Sequence, residues 1–256
     1  MYDVDRDAVR SWWHGLAAAL RAQGLRGVPD ALEWPQDLGA HWHDPNLLLG
    51  QTCGHPLVSR LATRVQVVGA FRYTAPGCSG IQYRSELLAR TDAPGCSIED
   101  FRGSIAAVND RESHSGFHAL RARVAPFATN GRFFASYTES GSHRASLALL
   151  QARQADVAAI DCVTLALLRR HAPETLAGLH VIGSTARAPG LPLITAARTT
   201  AEELVQLRRA LRAACADDAL RSVREALFIG GFVAAPLAAW HRITAMQAAG
   251  AVLVEA

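Results

Sequence analysis

The sequence predicts a mixed α/β fold, and three features carry that prediction. Between Ser104 and Arg153, β-rich runs and helical runs alternate twice in succession. A Pro- and Gly-rich stretch from Ser184 to Pro192 then precedes a new apolar run, Leu193 to Ala197, as expected where a chain crosses back between two lobes. The chain has 256 residues, 50% hydrophobic and 19% charged, enough to bury a full core as one large domain or two smaller ones.

Taken in order, Ala8 to Gln23 places Val9, Trp12, Trp13, Leu16, Ala19 and Leu20 at helical spacing and stops at Gly24. A second helix fits before His43. Arg64 to Phe71 and Tyr83 to Arg90 are short β-rich runs bounded by Gly, Pro and Asp, with a loop from Thr74 to Ile81 between them. Ser104 to Asn109 reads as a strand, followed by a helix from about Ser115 to Val124. Arg132 to Thr138 reads as a strand, Ser142 to Arg153 as a helix, Asp156 to Ile160 and Leu179 to Ile182 as strands. This alternation predicts mostly parallel pairing. Two helices follow, Thr200 to Ala214 and Asp217 to Leu227; Thr199 or Thr200 is placed to cap the first, and Glu202 and Glu203 suit its positive end.

Composition excludes several functions. The net charge is only +3 and the arginines are scattered, so no nucleic-acid surface is expected, although a slightly positive cleft suits a small anion. The longest apolar run, Leu227 to Ala239, is broken by Gly230, Gly231 and Pro236, so no membrane insertion is expected. Met1 to Val9 lacks a basic segment followed by an apolar one, so the chain as written is expected to stay in the cytoplasm. Five cysteines without a CxxC pair exclude a zinc ribbon and imply no disulfide framework, and Cys162, in an apolar run, reads as core packing. No GxSxG, HExxH, Walker A or dinucleotide-binding glycine pattern occurs, and His41-Trp42-His43-Asp44 shows no third metal ligand, so neither catalytic residues, metal nor cofactor are expected.

The chemistry concentrates at two strand-to-helix junctions. Asn109 to Gly116 sets Ser113, His114 and Ser115 at a helix start, where backbone N–H groups, the helix dipole and hydroxyl donors favour an anion. The same serines would equally serve as caps of their own helix. Thr138 to His143 repeats the arrangement with Ser140, Ser142 and His143, and in an open α/β sheet both junctions fall on the rim at the carboxyl ends of the strands. His143 alone reads as a surface or capping histidine.

Six segments in the same order resemble the phosphate/phosphite/phosphonate-binding proteins of ABC transporters: Leu47 to Gly54, Gly77 to Gly80 with Tyr83 and Ser85, Ser113 to Gly116, Gly141 to His143 with Ser146, Asp156 to Asp161, and Pro189 to Leu193. The likeness covers nearly the whole chain. It implies a type II periplasmic-binding-protein fold, two mixed sheets flanked by helices with a ligand cleft between lobes 1–89 plus 190–256 and 90–189. It implies a solute-binding component of an uptake system that takes a phosphonate or phosphate, works with an ABC permease and is periplasmic. Ser113, His114 and Ser115 would then wrap the phosphonate group, with His143 closing from the second junction beside Ser142 and with Tyr83, Gln51 and Thr52 covering it from the first lobe. Where relatives that hold aminophosphonates place carboxylates, this chain has Val163 and Leu191, leaving Asp161 as the nearest acid and implying a ligand without an amino group. The resemblance also puts Cys53 and Cys78 in turns of one lobe, close enough to pair in an oxidising compartment.

Two other classes use this fold. A ligand-sensing domain of a transcription regulator would need a partner, because no helix-turn-helix segment precedes the chain. A thiamine-pyrimidine synthase would need a cysteine-rich iron-binding run, which the sequence lacks.

Overall fold

The computed structural model describes residues 2–254, which divide into two units. The first comprises the chain up to Thr74, Cys78–Gln82 and Pro189–His241; the second comprises Ala75–Gly77, Tyr83–Ala188 and the chain from Arg242 onward. This division departs from lobes cut at 89 and 190. Ala75–Gly77 and strand Ser85–Arg90 belong to the second unit, and so does the C-terminal segment after His241.

In the first unit, helix Arg6–Ala22 is capped by Asp5, whose carboxylate accepts from the Ala8 N–H at 3.0 Å. Its Val9, Trp12, Trp13, Leu16 and Leu20 stripe is buried, and Trp12 meets Phe71 edge-on at 5.8 Å. The helix also packs on helix Ala201–Ala216, where Thr200 and Glu203 form a capping box. The sheet runs in the order Gly50–Gln51, Pro192–Ala196, Val65–Tyr73, Ile229–Val233, and every pairing in it is antiparallel. The expected parallel pairing fails here for a topological reason. Val65–Tyr73 and Pro192–Ala196 are joined through more than a hundred residues, including Tyr83–Ala188 of the second unit, so no local strand–helix–strand crossover fixes their direction. Cys53 and Cys78 both fall in this unit, each partly buried, and are thiols in this structure.

The second unit is built on a five-stranded mixed sheet. Its order is Ser136–Glu139, Ile105–Val108, Val157–Asp161, Ser85–Arg90, Leu179–Ser184. Ile105–Val108 is parallel to both of its neighbours, as the alternating pattern predicts. Ser85–Arg90 is antiparallel to both of its own, because the chain enters the unit along it.

Three local expectations are corrected. The run from Arg132 pairs as a regular strand only over Ser136–Glu139. Phe133 and Phe134 are both buried in one core with rings 4.8 Å apart, which a pleat sending successive side chains to opposite faces forbids. Helix Cys162–His171 is absent from the sequence reading because Cys162 to Leu168 are all buried, leaving no polar face to mark a period. Helix His241–Gly250 likewise goes unannounced, and it carries the chain back to the second unit.

Arg121 holds that returning segment. It is 5% exposed, donates to the carbonyls of Gly250 at 3.2 Å and Leu253 at 2.6 Å, and lies over the Phe117 ring. Arg121→Met keeps the stem but strands two buried carbonyls, so the urea midpoint should fall by the equivalent of about 2–4 kcal/mol. Equilibrium unfolding followed by circular dichroism checks this, and an unchanged midpoint would show that the tether contributes nothing.

Candidate functional site

The second unit gathers most of the chemistry-bearing residues at the ends of three neighbouring strands. The chain leaves Ile105–Val108 and turns through Asp110 to Ser113, whose hydroxyl accepts from the Gly116 N–H at 3.2 Å and so caps the helix start. The opening turn, His114–His118, is wound wide: the Ser113 carbonyl accepts from both the Phe117 and the His118 N–H. Ser113, His114 and Ser115 are 6%, 1% and 6% exposed, so three polar residues in a row have been taken out of water. That burial costs free energy unless each group is matched. Ser85 does part of the matching, donating its hydroxyl to the Ser115 carbonyl at 2.9 Å.

Gly116 is required at this turn. A Cβ there would lie 1.8 Å from Asn109 Oδ1 and 3.3 Å from His143 Cε1, so a larger residue would push apart the two groups that frame the turn.

The second junction brings in His143. Ser142 caps helix His143–Gln151, accepting from the Ala145 N–H at 3.1 Å, and it is exposed. Ser140 and Ser146 share a hydrogen bond at 2.7 Å behind it, and Ser140 also donates to the Val108 carbonyl, tying the two junctions together. His143 points inward, with Nε2 3.0 Å from Ser115 Oγ and 3.4 Å from Asp161 Oδ2. Asp161 ends strand Val157–Asp161 and caps helix Cys162–His171, accepting from the Val163 and Thr164 N–H groups at 3.1 and 2.9 Å and from the Thr164 hydroxyl.

These contacts fix the tautomer of the ring. A bare lone pair on Nε2 would face the Asp161 carboxylate, so Nε2 carries a proton and donates. Ser115 Oγ then accepts from His143, and its own hydrogen is left to point elsewhere. The same geometry rules out a nucleophilic triad, in which the imidazole bridges hydroxyl and carboxylate through opposite nitrogens. Here both partners meet Nε2, and no proton can be relayed between them.

Of the residues singled out in the sequence, Ser113, Ser115, His143 and Asp161 form one chain of contacts, with Ser113 and Ser115 hydroxyls 3.4 Å apart. Tyr83 and His114 face each other with ring centroids 6.4 Å apart. Gln51 and Thr52 belong to the first unit, where their bonds are local: Gln51 donates to the Tyr73 hydroxyl at 3.4 Å, and Thr52 is buried with its N–H on the Pro192 carbonyl. Ser85 was missed as a site residue; its place beside Tyr83 in the Gly77–Ser85 motif was the available signal. Among the described residues no three His, Cys, Asp or Glu side chains gather as for a metal, and no helix is long and apolar enough to cross a membrane.

A mixed α/β chain of two units with a buried hydroxyl–imidazole cluster at strand ends is the architecture of a solute-binding protein, and comparison with known proteins makes the class specific. Residues 55–240 match the family described as ABC transporter, phosphonate, periplasmic substrate-binding protein. The chain belongs to that family, whose members are substrate-binding components of transporters rather than enzymes. Among solved structures, PhnD1 of Prochlorococcus marinus in complex with methylphosphonate is similar at TM-score 0.74 and 13% identity, over 95% of this chain and 93% of that one. A binding protein component of an ABC phosphonate transporter from Pseudomonas aeruginosa aligns at TM-score 0.73 and 18% identity, over 94% and 81%. XAC2383 from Xanthomonas citri, bound to ATP, aligns at 0.68 and 16%, over 94% of each chain. No curated protein matches the sequence. The family assignment favours the transport component over the sensing-domain and thiamine-pyrimidine-synthase readings.

Burial holds the His143 pKa below the usual histidine value, outweighing the Asp161 carboxylate and the Ala159 carbonyl, which both favour the charged ring. The sign follows directly. Below about pH 6.5 the unfolded chain binds a proton that the folded, unliganded protein resists, so stability is lost as pH falls, by up to about 1.4 kcal/mol per unit from this group. Thermal melts of the unliganded protein between about pH 5 and 8 should show that loss, and His143→Gln should flatten it. An identical pH profile in the variant would count against His143 as the titrating group.

Proposed function

We propose that the second unit takes the tetrahedral oxyanion head of a phosphonate, or phosphate itself, on Ser113, Ser115, His143 and the N–H groups of the His114–His118 turn, and delivers it to an ABC permease from the periplasm. The observation that carries this reading is the hydrogen bond from His143 Nε2–H to Ser115 Oγ, which leaves a buried hydroxyl with its hydrogen to donate. The Ser113 hydroxyl, 3.4 Å away, is a distant neutral acceptor for that hydrogen, and a charged acceptor at shorter range would make a stronger hydrogen bond. Tyr83, its ring tilted by 38° to that of His114 with centroids 6.4 Å apart, would close the same side of the ligand. That a family member of the same fold was solved with methylphosphonate supports the ligand class.

The ammonium of an aminophosphonate would find no partner here. Asp161 is already committed to the Val163 and Thr164 N–H groups, the Thr164 hydroxyl and His143, and Val163 is a buried apolar residue. Isothermal titration should therefore show 2-aminoethylphosphonate binding no more tightly than ethylphosphonate.

Ser115→Ala removes one hydrogen bond to a charged acceptor, worth roughly 1.5–3 kcal/mol, and should weaken methylphosphonate or phosphate binding by about ten- to a hundredfold. Ser142→Ala, at an exposed cap, should cost about 1 kcal/mol of stability and leave affinity intact. Titration calorimetry with parallel melts separates the two effects, and Ser115→Ala binding like the parent would remove the basis for the site.

A further inference from the structure

Resting on that reading, we infer that oxyanion binding in the second unit is coupled to protonation of His143, so that the ligand is captured together with one proton from solvent. The imidazole is anchored at one edge, where Nε2 donates to Asp161 and Ser115. Nδ1 is buried without a hydrogen-bond partner among the described residues. The Asp161 carboxylate and the Ala159 carbonyl both favour the charged ring, and an imidazolium has a hydrogen on each nitrogen.

What holds the unliganded ring neutral is the loss of water: the side chain is 12% exposed. A single carboxylate, itself spent on three other donors, does not offset that loss. An oxyanion beside Ser115 adds the second negative charge. His143 then lies between two anions, Asp161 on the sheet and the ligand at the turn, and the charged ring becomes the favoured form.

The other charged or titratable groups on the packed elements do not replace it in this role. His114 and His118 lie on the turn, Glu86 and Arg90 on strand Ser85–Arg90, and Glu174 on the short helix Pro173–Leu176. Glu86 is engaged by Arg84 at 2.9 Å and Arg90 by Asp92 and Asp156, and Asp161 is the charge that acts on the ring. Asp161 is thereby a positioning residue, which sets the tautomer and stabilises the proton without reading the ligand.

Coupling has a definite sign. Between the depressed value of the free site and the higher value of the complex, binding takes up a proton and affinity falls as pH rises, by up to about tenfold per unit, and it levels off once the pH exceeds the value in the complex.

The test is titration calorimetry near pH 7.5 (about one unit above the ordinary histidine value) with methylphosphonate, phosphite and inorganic phosphate. It is run in Tris and in imidazole, cationic buffers of different ionisation enthalpy that do not compete for an oxyanion site. The difference in heat between buffers counts protons, and subtracting the count for His143→Gln removes the ligand's own titration. The expected result is a positive difference approaching one proton, reduced in Asp161→Asn. Equal counts in wild type and His143→Gln, with binding intact, overturn the coupling and leave the binding site standing. Should His143→Gln bind too weakly to count, the wild-type affinity for the non-titrating monomethyl ester of methylphosphonate decides: a slope with pH supports coupling, and a flat profile overturns it. No heat from any of the ligands overturns both readings.

Discussion

The second unit depends on what the carboxylate of Asp161 does at the end of its strand. One oxygen accepts from the Val163 and Thr164 N–H groups and so starts the buried helix Cys162–His171; the other receives the Thr164 hydroxyl and approaches His143 at 3.4 Å. A single buried negative charge, 4% exposed on its side chain, is thus satisfied by a helix terminus and at the same time sets the tautomer of the imidazole beside it. Everything nearer the turn follows. The fixed Nε2–H directs the Ser115 hydroxyl, Ser113 holds the wide turn in place, and Gly116 lets Asn109 and His143 approach it.

This arrangement separates binding from catalysis by geometry rather than by inventory. Serine, histidine and aspartate lie in contact, as in hydrolytic sites, yet hydroxyl and carboxylate share one ring nitrogen, so the group that would act as a base is spent as a donor. A transport component must hold its cargo without altering it, and the proposed oxyanion site, made of fixed donors, meets that requirement. Membership of the phosphonate-binding periplasmic family agrees with that chemistry.

The two units differ in how their sheets are assembled. The sheet of the second unit keeps parallel pairs where strand and helix follow each other locally, and the sheet of the first is antiparallel because its strands come from distant parts of the chain. Distant parts also meet within the second unit, where Arg121 binds the carbonyls of Gly250 and Leu253 across more than a hundred residues of sequence.

Much of this was legible in the residues themselves. The periodic stripe of Trp12, Trp13 and Leu16, the capping pair Thr200 and Glu203, and the hydroxyl-rich junctions at Ser113 and Ser142 are local signals, written within one or two turns of chain, and a sequence determines them alone. Helix Cys162–His171 and the irregular path through Phe133 and Phe134 were not legible, because burial on every side erases the polar–apolar period that marks an element. Most of the site was decided by tertiary structure. Ser115, His143 and Asp161 stand on three separate elements; in sequence His143 taken alone looked like a cap, and only the family resemblance set it beside a ligand. Only folding brings both acceptors to one nitrogen, and that convergence, a matter of distances across the sheet rather than of residue type, ties the aspartate to the histidine.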